Sequence, residues 1–198
     1  MLVKICGITT PDAARCCLDA GADMIGFVYY PSSPRHIAAP LISKILDSVE
    51  QYRKSGRKTV LVIVDKIPDQ VDPRIDYVQL HGDYKPNVSQ QTITVIKDQQ
   101  TIQNPNPATD PNKLYLLEIS KGALPGGNGK KWDWSIAKQF CKKYKTILAG
   151  GITSENVQTA IVQANPYGID VSSGVEKSPG IKDGKKVEQL IKQVRMLY

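Results

Sequence analysis

The chain has 198 residues, of which 41% are hydrophobic and 23% charged, and this composition predicts one globular domain spanning residues 1–198. The sequence contains no run of about 18 apolar residues, which argues against a membrane helix. Its first residues do not resemble a signal peptide. The net charge of +7 favours an anionic partner. The lysines are scattered without interleaved aromatic residues, so neither nucleic acid nor a membrane is expected as a partner.

The cysteine pattern argues against a disulfide framework and against a zinc site. The chain has four cysteines, and none of them forms a CxxC pair. They are Cys6, Cys16, Cys17 and Cys141. Reduced thiols are typical of a cytoplasmic protein, which is the location that we predict.

Short apolar runs recur along the chain between turn residues, as buried strands do. We predict eight strands, at Leu2–Cys6, Met24–Val28, Thr59–Val64, Tyr77–Leu80, Thr92–Lys97, Leu114–Glu118, Thr146–Ala149 and Gly168–Val171. Eight strands that alternate with helices indicate parallel βαβ units, and a compact closed (β/α)8 barrel suits this number. The alternative is an open doubly wound sheet, but the first strand is not followed by GxGxxG.

Helices are predicted between most of the strands. They are a helix capped by Thr10 and closed near Gly21, then Pro40–Tyr52, Trp134–Tyr144, Asn156–Ala164 and Asp183–Met196. Pro68 and Pro73 leave room for only a shortened third helix. The prolines within Asn104–Asn112 predict that no regular fifth helix forms.

Cys6 ends the first strand, just before the turn residue Gly7. In a barrel this position faces the active-site mouth, although a small buried hydrophobic role is the alternative. Lys4 shares the face of Cys6 because side chains alternate along a strand. A buried lysine needs a counter-charge, so we predict an ion pair between Lys4 and Asp170 of the neighbouring eighth strand.

Glycine-bearing segments follow the last two strands. Gly150 and Gly151 come after the seventh strand, and Ser172, Ser173 and Gly174 come after the eighth. Barrels commonly bind phosphate with these two loops, through backbone N–H groups that glycine allows close to the anion. Either segment alone is a weak signal, but both together predict a phosphate site.

Several stretches together resemble the phosphoribosylanthranilate isomerase family of tryptophan biosynthesis. They are KICGITTPDAA, GADMIGFVYYPSSPRHI, YVQLHGD, PGGNGKKWDWS, LAGGIT and IDVSSGVE, between Lys4 and Lys182. The resemblance implies a (β/α)8 barrel, monomeric or homodimeric, without metal or organic cofactor. It also implies the Amadori rearrangement of a small phosphosugar, N-(5-phosphoribosyl)anthranilate, to 1-(2-carboxyphenylamino)-1-deoxyribulose 5-phosphate.

The resemblance also implies roles for individual residues. Cys6 matches the family's base, which acts as a thiolate, and Arg35 matches the arginine that holds the anthranilate carboxylate. Without the resemblance, Arg35 would be read as an exposed loop residue. The family's acid is an aspartate at the end of the sixth strand, where this chain has Glu118. The extra methylene matters, because a shift of about 1 Å can cost roughly a hundredfold in rate.

Three further features are interpreted from their positions. His81 either faces the mouth or is a satisfied rim histidine, and Asp133 is interpreted as a helix N-cap or loop anchor rather than as an acid. The segment Gly126–Gly129 is predicted to form a flap over the substrate.

Three other functions remain as alternatives. A histidine-pathway isomerase would use two carboxylates, which Cys6 argues against, and indole-glycerol-phosphate synthase would need a lysine-rich set and an N-terminal extension. The third is a phosphate-binding barrel of the same family with weak or lost catalysis, serving as a binding module. Glu118 and the shortened third helix support this last alternative.

Overall fold

The computed structural model describes residues 1–81, 87–106, 109–119 and 132–197. Its eight main strands are all parallel and form a closed barrel in chain order, in which the last strand pairs with the first. They are β1 Leu2–Cys6, β2 Met24–Tyr29, β3 Lys58–Ile63, β4 Tyr77–Leu80, β5 Gln91–Ile96, β6 Leu114–Leu117, β7 Lys145–Leu148 and β8 Gly168–Val171. The predicted barrel is confirmed, and every predicted strand agrees to within one residue at each end.

The helices surround this barrel. They are α1 Pro11–Asp19, α2 Ala39–Ser48, α3 Glu50–Lys54, α4 Gln99–Gln103, α5 Lys138–Lys143, α6 Val157–Ala164 and α7 Gly184–Arg195. The predicted cap of α1 is confirmed, since Thr10 Oγ1 accepts from the N–H of Ala13 at 3.2 Å. Across the described ranges, no helix has the length and apolar character needed to cross a membrane.

Two predicted helices are divided. The helix predicted over Pro40–Tyr52 is interrupted at Val49, whose φ of −119° and ψ of 13° are not helical. The helix predicted over Trp134–Tyr144 begins as a 3₁₀ turn, Trp134–Ala137, and continues as α5.

The connections that carry prolines differ from the predictions in detail. Instead of a shortened third helix, residues 64–76 form turns and extended chain. The N–H and Nε of Arg74 donate to Asp72 Oδ1 at 3.0 and 2.9 Å, and this local turn competes with a helix. Residues 104–106 and 109–112 are not helical, as predicted, but the one-turn helix α4 precedes them, capped by Asp98.

A short antiparallel hairpin that the sequence did not predict follows β8. Its strands are β9 Glu176–Ser178 and β10 Ile181–Lys182. The register places Lys182 opposite Glu176, with an irregularity between Ile181 and Lys182. Two charged residues are thereby brought side by side next to the carboxyl end of β8.

Apolar side chains pack in two layers, one inside the barrel and one between strands and helices. The residues of the inner layer alternate along the strands with those of the outer layer, as a period of two requires. The inner layer consists of Cys6, Met24, Val60, Val62, Ile93, Leu116, Ile147 and Ala149. In the outer layer, α7 packs a stripe typical of an amphipathic helix, with buried Val187, Leu190, Ile191 and Val194.

The predicted ion pair in the barrel interior is confirmed. Lys4 is fully buried, and its Nζ donates to Asp170 Oδ1 at 2.9 Å. Burial acts to lower the pKa of Lys4, but the charges and hydrogen bonds of Asp170 and Cys6 outweigh it, so the pKa is raised. Because β1 and β8 pair at these two residues, the ion pair crosses the seam where the barrel closes.

Replacing one member of this pair should destabilise the fold. Asp170→Ala is expected to lower the free energy of unfolding by ~3–5 kcal/mol, because it leaves the Lys4 ammonium buried without a counter-charge. Denaturant titration followed by circular dichroism measures the change. The double variant Lys4→Met/Asp170→Ala removes both charges and should recover most of the loss. A double variant as unstable as Asp170→Ala would contradict this account of the pair.

Candidate active site

A cleft opens at the carboxyl ends of the barrel strands. All residues predicted to act in catalysis or substrate binding line it, namely Cys6, Arg35, Glu118, Gly150, Gly151, Ser172, Ser173 and Gly174. The fold therefore brings together side chains from both ends of the sequence. Their common location is the geometric basis for the roles proposed below.

Cys6 lies at the floor of the cleft, with 7% of its surface exposed. Burial raises the pKa of the Cys6 thiol, and the negative charge of Asp170 acts in the same direction. The ammonium groups of Lys4 and Lys182 lower that pKa without outweighing burial, so it lies above its usual value. Two ammonium groups that can stabilise a thiolate are therefore close to Cys6. At neutral pH, however, the thiol form of Cys6 is favoured.

Gly26 of β2 leaves the space that the thiol occupies. It pairs with Cys6 in the register of β1 and β2. A Cβ atom at Gly26 would lie 2.9 Å from Cys6 Sγ and 3.3 Å from Lys4 Cε, closer than side chains normally approach. The carbonyl of Gly26 also accepts from the N–H groups of Gly7 and Ile8, both at 2.9 Å, which anchors the turn after Cys6.

Glu118 is the first residue after β6. Its N–H donates to Ile96 O at 3.1 Å, so the backbone continues the pairing of β5 and β6. Leu116 lies inside the barrel, and Glu118 follows on the same face, as predicted. The side chain is 6% exposed and lies beside Gly150, where an added Cβ would be 3.5 Å from Glu118 Cγ. Lys97 is the nearby cation, coupled electrostatically to Glu118.

The loops after β7 and β8 interlock at the cleft. Gly150 and Gly151 have φ values of +92° and +69°, a region that glycine adopts readily. A Cβ atom at Gly174 would lie only 2.0 Å from Ile152 O, so the two loops are in direct contact there. The predicted anion-binding segments thus form one continuous wall.

Two indole groups hold the loop after β7. Trp132 Nε1 donates to Ala149 O at 2.9 Å, and Trp134 Nε1 donates to Gly150 O at 3.2 Å. Asp133, between them, accepts from the backbone N–H two residues later at 3.0 Å, which confirms its prediction as a helix cap. The WDW motif is therefore a support for the cleft wall.

Arg35 is buried, with 6% of its surface exposed, so the view of it as an exposed loop residue is wrong. Its Nε and Nη2 donate to Glu176 Oε1 and Oε2 at 2.8 and 2.7 Å. Gly7 makes room for this arrangement, because a Cβ atom there would lie 2.6 Å from Arg35 Cδ. The guanidinium is thus fixed at the cleft wall by a bidentate ion pair.

Lys182 connects this ion pair to the base of the cleft. Its Nζ donates to Glu176 Oε1 at 2.7 Å, and it lies 3.2 and 3.4 Å from the carbonyl and hydroxyl oxygens of Ser172. The hydroxyl of Ser172 in turn donates to Cys6 O at 3.0 Å. Since that proton is engaged, Ser173 is the better placed of the two predicted hydroxyl donors to a phosphate.

His81 lines the cleft and is also hydrogen-bonded, so it has features of both positions considered for it. It is 5% exposed, and its Nε2 lies 2.7 Å from Nε2 of the buried Gln79. Both residues line the cleft. The predicted flap, Gly126–Gly129, falls outside the described residues. Where the chain is described, no group of three or more His, Cys, Asp or Glu side chains is arranged to hold a metal ion.

Sequence reasoning missed four residues of the cleft or its wall. Gln79 could have been found, because a polar residue at an inward position of a buried strand is unusual. No sequence feature distinguishes Gly26 as a site residue, since glycines are common in the chain. Glu176 contacts both Arg35 and Lys182, and it does so within a hairpin that no local sequence pattern predicted.

Comparison with known proteins agrees with the resemblance in the sequence. The model of the N-(5'phosphoribosyl)anthranilate (PRA) isomerase family matches residues 3–193. The N-(5'-phosphoribosyl)anthranilate isomerase of Trichlorobacter lovleyi is 36% identical over 204 residues, covering 98% of this chain and 97% of the relative. That of Oceanobacillus iheyensis is 39% identical over 206 residues, with coverages of 98% and 97%.

Solved structures agree as well. Phosphoribosyl anthranilate isomerase from Thermotoga maritima has a TM-score of 0.78 at 27% identity, covering 99% of this chain and 100% of that one. A phosphoribosyl anthranilate isomerase in complex with reduced 1-(o-carboxyphenylamino)-1-deoxyribulose 5-phosphate has a TM-score of 0.74 at 26% identity, with coverages of 99% and 100%. With the family model matching almost from end to end, the chain belongs to the N-(5'-phosphoribosyl)anthranilate isomerase family.

Proposed function

We propose that the cleft converts N-(5-phosphoribosyl)anthranilate to 1-(2-carboxyphenylamino)-1-deoxyribulose 5-phosphate, with Cys6 as the base and Glu118 as the acid. The observation that carries the assignment is that a buried thiol and a buried carboxyl group line one cleft with two interlocked glycine loops. The Amadori rearrangement requires an acid and a base that act on one bound sugar. A related isomerase of similar fold binds the reduced form of the same product.

The first step opens the ribose ring. The carboxylic acid of Glu118 gives its proton to the ring oxygen, and the bond from C1 to that oxygen breaks. The lone pair of the anthranilate nitrogen then forms a double bond to C1, which yields an iminium ion. Burial of Glu118 excludes water that would compete for this proton transfer.

The second step moves a proton from C2. The Cys6 thiolate takes the proton, the electrons of the C2–H bond form the C1–C2 double bond, and the nitrogen regains its lone pair. C1 then gains a proton and the C2 hydroxyl loses one, which converts the enolamine to the ketone. The ammonium of Lys4 below Cys6 favours the thiolate that this step uses. Proton transfers and bond changes within the substrate account for every step, so the proposal needs no metal or organic cofactor.

The remaining site residues bind the two anionic ends of the substrate. We assign the phosphate to the wall formed by Gly150, Gly151, Ser172, Ser173 and Gly174, where backbone N–H groups approach an anion closely. Arg35 is assigned to the anthranilate carboxylate at the other end.

We place the enzyme in the cytoplasm, as a monomer or homodimer. Support for the location comes from the four cysteines, all of which are free thiols. A Thermotoga maritima isomerase of similar fold is described as dimeric, with monomeric forms generated from it.

The alternative function, a phosphate-binding module with weak or lost catalysis, is favoured by Glu118 in the position of the family's aspartate and by the missing third helix between β3 and β4. The decisive experiment incubates the protein with N-(5-phosphoribosyl)anthranilate and follows the loss of the substrate's fluorescence. Turnover above the buffer rate supports the isomerase. Binding of the substrate without turnover would support the binding module.

Glu118→Gln tests the acid. This variant keeps the shape but has no proton to donate, so kcat should fall by ~10²–10⁴ while KM stays close to that of the parent. Glu118→Asp, which shortens the side chain to the family's residue, should keep measurable activity. Glu188→Gln, at an exposed position of α7, is the matched control. Parent-like turnover by Glu118→Gln would move the acid to another group, with His81 the next candidate.

The pH dependence tests the base. Because the pKa of Cys6 is raised, kcat/KM should increase with pH through values above ~8.5, as the thiolate fraction grows. Activity is correspondingly lost as the pH falls. Cys6→Ser should remove most of the activity, whereas Cys141→Ser, outside the cleft lining, should not. A kcat/KM that does not change with pH in this range would argue against Cys6 as the base.

Gly174→Ala tests the phosphate wall. The added methyl group would collide with Ile152 O and separate the two loops, so KM should rise about tenfold or more, the effect of losing a charged hydrogen bond. Inhibition by inorganic phosphate should weaken in parallel. Gly56→Ala is the control, because a Cβ added at Gly56 meets no atom within 4 Å, although Gly56 itself has a positive φ of +97°. An unchanged KM in a folded Gly174→Ala protein would place the phosphate elsewhere.

A further inference from the structure

Three charged side chains form a buried cluster at the cleft wall. Glu176 accepts two hydrogen bonds from Arg35 and one from Lys182, all between 2.7 and 2.8 Å. The exposed fractions of the three side chains are 7% for Arg35, 4% for Glu176 and 2% for Lys182. Of the three, Arg35 lines the cleft, and the other two lie behind it.

The cluster carries one positive charge more than negative. Burial acts to raise the pKa of Glu176, but Arg35 and Lys182 outweigh it, so the pKa is lowered and the group is a carboxylate. Lys182 contacts three acceptor atoms, on Glu176 and Ser172, which matches the three N–H donors of an ammonium. Burial does lower the pKa of Lys182, and the charge of Glu176 opposes this.

The guanidinium offers one edge to the cleft. Glu176 occupies the side edge of Arg35, formed by Nε and Nη2. Within the described ranges, Nη1 donates to no acceptor, so the end edge is left for a ligand. A carboxylate fits that edge in a bidentate pair, whereas a point acceptor would use only half of it.

We propose that Glu176 and Lys182 are positioning residues that make Arg35 selective for the carboxylate of the aromatic ring. Glu176 holds the guanidinium with its end edge toward the cleft. Lys182 balances the charge of Glu176, so that the charge of Arg35 is left for the ligand. This inference rests on the proposed function, because it assigns the ring carboxylate to Arg35.

Both partners of Arg35 are needed for this effect. If Glu176 acted alone, it would neutralise Arg35 and leave little net attraction for a second carboxylate. Without Glu176, two buried cations would repel each other, and the long arginine side chain would lose its fixed orientation. The hairpin register that sets Lys182 opposite Glu176 therefore serves ligand selection as well as folding.

The experiment compares two ligands that differ only in the carboxyl group. They are reduced 1-(2-carboxyphenylamino)-1-deoxyribulose 5-phosphate and its phenylamino counterpart, which keeps the sugar and the phosphate. Titration calorimetry measures the Kd of each for the full-length protein. The parent should bind the carboxylated compound more tightly, by roughly 10- to 100-fold, the range for a charged hydrogen bond.

Glu176→Gln should lose most of this advantage while binding the phenylamino compound as the parent does. Lys182→Met should also reduce the advantage, with the Arg35–Glu176 pair intact, and it provides a second test if Glu176→Gln does not fold. Exposed Glu188→Gln and Lys185→Met are the matched controls and should keep the parent's ratio. Equal weakening of both ligands would show a merely structural role and overturn the proposal, as would a parent-like ratio in both variants.

Isomerase activity and carboxylate selection by Arg35 are tested by separate measurements. The fluorescence assay of turnover tests the isomerase activity without reference to Glu176. The ratio of the two Kd values tests carboxylate selection whether or not turnover occurs. A parent that turns over its substrate but shows no preference for the carboxylated ligand would overturn this inference alone.

Discussion

The buried ion pair between Lys4 and Asp170 joins the first and the last strand of the barrel, and the site is organised around it. Removing two charges from water is costly, so each must face the other inside the barrel, and this sets β1 against β8. Cys6 and Ser172 follow two residues later on the same strand faces. The hydrogen bond from the Ser172 hydroxyl to Cys6 O links the ends of the first and last strands at the cleft. The base and the proposed phosphate wall are therefore neighbours because the barrel closes at this pair.

Above the seam, glycines allow functional groups to approach more closely than side chains would permit. Gly26 leaves space for the Cys6 thiol, and Gly7 lets Arg35 pass over the end of β1. Gly174 brings the loop after β8 into contact with the loop after β7. Packed atoms fill these three contacts without a ligand, so these parts of the cleft wall are close-packed.

Charge is distributed unevenly around the cleft. The Lys4–Asp170 pair is neutral as a unit, whereas the cluster of Arg35, Glu176 and Lys182 keeps a net positive charge. A ligand with a phosphate and a carboxylate complements such a surface, and the net charge of +7 adds a general attraction for anions. At the end of the sixth strand, Glu118 lies beside Gly150, where an added Cβ would be 3.5 Å from Glu118 Cγ.

The sequence by itself determined the barrel strands, the helix cap at Thr10 and the partner of Lys4, because alternation, capping and the cost of a buried charge all act locally or between inward positions of known strands. The tertiary structure alone decided that Arg35 meets Glu176, 141 residues away. Contacts of this kind depend on which loops pack together, and packing between distant segments leaves no periodic signal along the chain.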